Sequence, residues 1–221
     1  RIYGAEKTSK YLLSFNYIPN NFDAVLVGPS LSDQMMDTRK LSNNYDIYNL
    51  SMDGGNISEL KYPLDNILKY GDLKLFIICL DPYITKNSGT KSSQINPKEY
   101  YSTLGSLPSI QHYLRKYRNI RLGSKSPFYD SYWGFTNNEY DHRNANSTAN
   151  INNWVNKIMK NKKADLNIDQ TAYNQLKEIL SGLRERNIKI VIYYHPVAKR
   201  LFTTSYYKKS YQIYREKISK L

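Results

Sequence analysis

A serine that follows an apolar run and a glycine is well placed to react. The stretch Phe22-Asp23-Ala24-Val25-Leu26-Val27-Gly28-Pro29-Ser30-Leu31-Ser32-Asp33 has that form. A short apolar run bounded by Gly and Pro reads as a buried strand of a parallel sheet. Gly28 permits a sharp turn and Pro29 stops the strand. Ser30 is then expected at the carboxyl edge of the sheet, where open α/β sheets bind ligands. A helix opening there would aim unpaired N–H groups and a positive dipole end at the same spot. The chemistry is nucleophilic attack by a serine oxygen, which needs a base for its proton and donors for the oxyanion. On this reading Ser30 faces the cleft and Ser32 already lies on the helix. The plainer alternative is a strand-to-helix turn capped by Ser30 or Ser32.

Three further strand ends converge on that edge: Asp53-Gly54-Gly55-Asn56, Asp81-Pro82-Tyr83 and His195-Pro196. The N–H groups of Ser30 and of Gly54 or Gly55 are candidate oxyanion donors, with the Asn56 side chain beside them. His195 is the candidate base, and a satisfied structural histidine beside Pro196 is the competing explanation. Asp81 and Tyr83 are candidate substrate contacts, although Asp53 and Asp81 equally suit helix caps. Asp141-His142 falls in a surface loop and His112 on an ordinary helix. Three scattered histidines and one cysteine give no metal-ligand spacing, and no cofactor is called for. Cys79, inside Leu75-Phe76-Ile77-Ile78-Cys79-Leu80, reads as a small core residue. A single cysteine excludes an intrachain disulfide framework and leaves the redox compartment open.

These residues need a frame. Residues 1–21 read as a short helix and a loop. Strands are expected at 23–27, 46–50, 74–80 and 189–194. A helix is expected from Leu31 to Arg39, another through Ile57, Leu60, Leu64, Ile67 and Leu68, and a third from the Asp169 cap through Leu176, Ile179, Leu180 and Leu183. Residues 84–165 carry only modest helical patterns, at 110–117 and 150–159, and read as an insertion that covers a functional face. Strands alternating with helices imply βαβ units and a parallel sheet. The expected architecture is one α/β domain over 1–221, a three-layer α/β/α arrangement of flavodoxin-like type, with 84–165 inserted between the third and fourth strands.

The chain has 221 residues, 40% of them apolar, with 32 basic and 19 acidic side chains and a formal charge of +13. That balance attracts nucleic acid, anionic membranes or acidic glycans. No helix-turn-helix, zinc-finger or aromatic nucleic-acid signature accompanies the scattered basic residues, so a nucleic-acid partner is not expected. The 22 tyrosines suit sugar or protein contacts, and compositional drift in an AT-rich genome explains them as well. No apolar segment is long enough to span a bilayer. The chain opens on Arg1 and closes inside a helical pattern at Leu221, so both ends are expected to be cut.

Taken together, these turns resemble the SGNH (GDSL-like) hydrolase superfamily. Val27-Gly28-Pro29-Ser30-Leu31-Ser32 is similar to its first block, with Pro29 where the family has Asp. Asn49-Leu50-Ser51-Met52-Asp53-Gly54-Gly55 is similar to its second. Ile78-Cys79-Leu80-Asp81-Pro82 and the span Leu176 to Pro196 resemble the SGNH-like domains of bacterial cell-envelope and exopolysaccharide O-acetyltransferases. The resemblance implies Ser30 as nucleophile, a glycine of the second block as oxyanion donor, and an acyl-serine intermediate. It implies a polysaccharide and an acyl donor as partners, a membrane-bound assembly partner, and a periplasmic, cell-surface or membrane-anchored location. The third-block asparagine has no counterpart, and the late Asp-x-x-His is absent from this chain. The expected function is therefore an O-acyltransferase or esterase, or else an inactive glycan- or partner-binding domain of the same fold.

Overall fold

The computed structural model describes residues 3–35, 37–82, 84–85, 114, 128–130, 132–137, 152–153, 155–156, 168–195, 199 and 205–221. Tyr83, Pro196, His112, His142 and most of 84–165 lie outside the described residues.

In chain order the elements are α1 (Tyr3–Leu13), α2 (Tyr17–Asn21), β1 (Ala24–Val27), α3 (Ser30–Met35), a 3-10 turn (Thr38–Lys40), β2 (Ile47–Asn49) and α4 (Ile57–Tyr70). Then follow β3 (Leu75–Cys79), β4 (Phe128–Asp130), β5 (Phe135–Asn137), α5 (Gln170–Glu185), β6 (Lys189–Tyr193) and α6 (Ser205–Ile218).

Four strands form one parallel sheet in the order β2-β1-β3-β6. All four fall within the expected segments, and the chain has the α/β class that the sequence implies. β1 is buried along its whole length, which a strand covered on both faces requires. Alternate residues separate into two apolar clusters. Val25, Val27, Tyr48, Phe76 and Ile78 belong to the larger one, together with α4 and α5 residues such as Leu60, Leu64, Leu176 and Leu180. Ala24, Leu26, Ile47 and Leu75 form the smaller one. The period of two along each strand produces this separation.

The helices start where their caps dictate. Asn56 and Glu59 form a reciprocal capping box at the head of α4. The Asp169 carboxylate accepts the Ala172 N–H at 2.9 Å and opens α5.

Three parts of the chain differ from expectation, the first being a second short helix, α2, where residues 1–21 were read as one helix and a loop. The helix after β1 ends at Met35, not at Arg39, because Asp37 caps a separate 3-10 turn by accepting from the Arg39 backbone N–H and guanidinium. Within the 84–165 span, β4 and β5 form an antiparallel hairpin whose Trp133 carbonyl accepts the Asn49 N–H at 2.9 Å. That contact satisfies a backbone donor at the end of β2.

Candidate functional site

In the order β2-β1-β3-β6 the sheet grows to one side of β1 through β2 and to the other through β3. The carboxyl ends of β1 and β3 therefore flank a topological switch point, the place where such sheets form a crevice. Gly28 leaves β1 there. After Pro29, the N–H groups of Ser32 and Asp33 both return to the Pro29 carbonyl, at 2.9 and 3.2 Å. This tight turn lays the Ser32 side chain directly over Gly28. A Cβ at position 28 would overlap Ser32 Oγ, lie 2.6 Å from Ser32 Cβ and come within 3.0 Å of Cys79 Cβ. Only glycine leaves that space.

The serine paired with a base is Ser32. Its Oγ lies 2.9 Å from His195 Nε2 and 2.9 Å from Tyr193 Oη, and Ser32 is fully buried. Ser30, the expected nucleophile, is half-buried at the first position of α3. Because α3 begins at Ser30, the two serines differ by about 200° around its axis, at 3.6 residues per turn. One turned toward His195 leaves the other turned away, so the histidine expected to approach Ser30 lies against Ser32 instead.

Tyr193 and His195 reach Ser32 from the end of β6. They are two residues apart on an extended chain and so share a face, with their rings edge to face at 5.4 Å. The ladder fixes them: Cys79 pairs with Tyr193 across β3 and β6, and the Leu80 N–H donates to the Tyr193 carbonyl at 2.9 Å. Burial lowers the pKa of His195 below the usual imidazole value, and the Asp81 carboxylate opposes that shift. The neutral ring that results can accept a proton. Burial also raises the Tyr193 phenol well above its ordinary value. The Cys79 thiol is pushed up to about 11, chiefly by burial, with the Ser32 hydroxyl opposing. Cys79 is thus the floor beneath the pair, a thiol that keeps its proton and so is a poor nucleophile.

The second turn does structural work. Met52 N–H donates to the Gly28 carbonyl at 3.2 Å and so ties this turn to the first. Gly54 adopts φ 61°, in the left-handed region that glycine tolerates. The Gly55 N–H donates to the Met52 carbonyl at 3.0 Å. The Asn56 side-chain oxygen accepts the Glu59 N–H at 3.1 Å as the cap of α4. Of the expected oxyanion donors, the Gly55 N–H is therefore committed to the turn, and the cap uses the Asn56 side-chain oxygen but not its NH2. Asp81 is half-buried, and its charge acts on His195.

Sequence reasoning missed three supporting groups. The Asn49 amide donates to the Ser32 carbonyl at 2.9 Å, and its oxygen accepts the Ser51 N–H at 3.0 Å. Tyr193 was legible as the residue two before His195 on a strand. Lys10 had no such signal. Its ammonium is fully buried, 2.7 Å from Asp33 and 3.0 Å from Glu6, and it also donates to the Ser51 carbonyl. Burial raises the Glu6 carboxyl while Lys10 opposes that rise. The neighbouring pair Lys7–Glu59, at 2.8 Å, docks α1 on α4. Helix α1 thereby braces both the residue after Ser32 and the turn after β2.

Among the described residues no group of three or more His, Cys, Asp or Glu side chains is placed to hold a metal ion, and no helix is long and apolar enough to cross a membrane. Comparison with protein-family models, curated proteins and solved structures returned no match.

Proposed function

We propose that this chain is an SGNH-like serine O-acyltransferase or esterase acting on a cell-envelope polysaccharide, with Ser32 and His195 as its reacting pair. The observation that carries this is the 2.9 Å contact between Ser32 Oγ and His195 Nε2 at the switch point of a parallel sheet, and burial that lowers the His195 pKa favours the neutral ring a base needs. A nucleophile and base must stand within hydrogen-bond reach, and this pair does.

The steps follow from that contact. Ser32 Oγ attacks the carbonyl carbon of an acyl ester and gives its proton to His195 Nε2. His195 returns that proton to the departing oxygen as the ester bond breaks, leaving acyl-Ser32. An incoming hydroxyl then gives its proton to His195 and attacks the acyl carbon, and Ser32 Oγ leaves and recovers the proton. A sugar hydroxyl as acceptor makes a transferase, and water makes an esterase. Asp81 stabilises the imidazolium that forms in each half.

The finer architecture belongs to the same proposal: a three-layer, flavodoxin-like α/β/α domain with residues 84–165 as an insertion. Apolar clusters on both faces of the sheet and the strand order β2-β1-β3-β6 support it. The polysaccharide acceptor, the acyl donor, a membrane-bound assembly partner and an envelope-side location are carried by the sequence resemblance.

A second reading has one specific observation in its favour. Ser32 is fully buried and holds both of its partners, as a structural network would. On it the domain binds glycan or an assembly partner without turnover. Hydrolysis of p-nitrophenyl acetate separates the two. The enzyme reading predicts turnover that Ser32→Ala and His195→Ala each reduce by about three orders of magnitude or more. Wild-type protein at the background rate supports the binding domain.

A further inference from the structure

Ser32 Oγ lies 2.9 Å from His195 Nε2 and 2.9 Å from Tyr193 Oη, with the Cys79 thiol beside it, and the acyl-transfer steps above use only the first. A hydroxyl carries one proton and can accept two hydrogen bonds. If that proton points to Nε2, as a base-activated serine requires, the 2.9 Å contact with Tyr193 Oη is made by the tyrosine proton. We infer that Tyr193 is a second catalytic residue, donating its hydroxyl proton in a hydrogen bond to the Ser32 oxygen through both halves of the reaction. This inference rests on the Ser32–His195 reading and names a further residue of the same site.

Three observations carry it. Tyr193 is held in place by the β3–β6 ladder, through its register with Cys79 and the Leu80 N–H on its carbonyl. Gly28 and Cys79 close in on the Ser32 side chain, which is fully buried, so solvent does not supply a substitute donor and the Cys79 thiol beside it is only a weak one. The phenol is also raised above its ordinary value by burial, so it stays protonated wherever neutral His195 works as a base.

The consequence lies in where charge develops. As the Oγ proton moves to Nε2, negative charge grows on Oγ until the bond to the acyl carbon forms. It grows there again when Oγ leaves acyl-Ser32. A fixed donor on that oxygen stabilises both moments without giving up its proton, and the low-dielectric surroundings strengthen the effect. Because this interaction is stronger in the transition state than in the ground state, its loss falls on kcat and not on KM.

The test compares wild type, Tyr193→Phe and a chain with 3,5-difluorotyrosine at position 193, using p-nitrophenyl acetate turnover and fluorophosphonate labelling mapped by mass spectrometry. Tyr193→Phe is expected to lower kcat by about ten- to a hundredfold with KM within about twofold, and to slow labelling of Ser32 without moving it. The fluorinated phenol ionises more readily, so its kcat should fall on the alkaline side at a lower pH than wild type, an effect that packing alone does not produce. It also keeps the test valid if Tyr193→Phe fails to fold. Wild-type kcat in Tyr193→Phe, or an unchanged alkaline limb with difluorotyrosine, overturns the role of Tyr193 alone. An unlabelled Ser32 in the wild type overturns the dyad itself and this inference with it.

Discussion

Gly28 and Ser32 are packed so closely that a methyl group on the first would occupy the space of the second's hydroxyl. Gly28→Ala must therefore displace Ser32 from His195. Overpacking of this kind costs about 1–3 kcal/mol, and turnover should fall together with the urea midpoint. Ser32→Gly in the Gly28→Ala background removes the colliding atoms and should recover part of the stability, but none of the turnover. Costs that simply add in a double-mutant cycle would show that the two positions are not in contact.

The ammonium of Lys10 offers a second test. It is fully buried against Asp33, Glu6 and the Ser51 carbonyl. Lys10→Met leaves the acidic groups without their cation, a change that costs about 3–5 kcal/mol in comparable buried pairs. Because Asp33 follows Ser32, turnover should drop as well. Lys10→Met/Asp33→Asn should be less unstable than the two single costs together. A loss below about 1 kcal/mol in urea unfolding would mean that water reaches this cluster.

Acid should weaken the fold through His195. Its folded pKa is lowered by burial, against the partial opposition of Asp81, so the unfolded chain binds a proton more readily. Stability then rises with pH across the window between the lowered value and about 6.5, is complete above it, and is lost as the pH falls through it. The difference in urea midpoint between wild type and His195→Gln should shrink between pH 7.5 and pH 5. The acid limb of kcat/KM should fall below the usual histidine value. A limb above 6.5 would indicate a histidine held protonated.

Cys79 should be inert in the native protein. It is fully buried, and its thiol is raised to about 11. Iodoacetamide at pH 8 should modify it only after unfolding. Rapid native alkylation would mean that the floor of the site opens to solvent.

β1 and β3 were legible because strands buried on both faces require nearly continuous apolar runs, as at Ala24–Val27 and Leu75–Cys79, and the apolar run of β6 was legible although its residues are largely exposed. His195 could be placed at the sheet edge because it directly follows one of them. The choice between Ser30 and Ser32 depended on the phase of a six-residue helix, and a short helix has too few apolar positions to fix its phase. Lys10 was hidden for a different reason. Glu6 and Lys10 at helical spacing look like a solvated surface pair, and only Asp33, 23 residues further along, reveals that they are buried. The commitment of the Gly55 N–H to a turn was likewise invisible. A glycine N–H serves an oxyanion site or closes a turn with the same group.

The pairing of Ser32 with His195 is tested most directly by locating the serine that a fluorophosphonate modifies. Wild type, Ser30→Ala, Ser32→Ala and His195→Ala would be treated at pH 7.5, digested and read by mass spectrometry. The predicted result is one adduct on Ser32 in the wild type. That adduct persists in Ser30→Ala, vanishes in Ser32→Ala and forms at least about a hundredfold more slowly in His195→Ala. An adduct on Ser30 that survives Ser32→Ala, or the absence of any serine adduct in the wild type, would contradict the account.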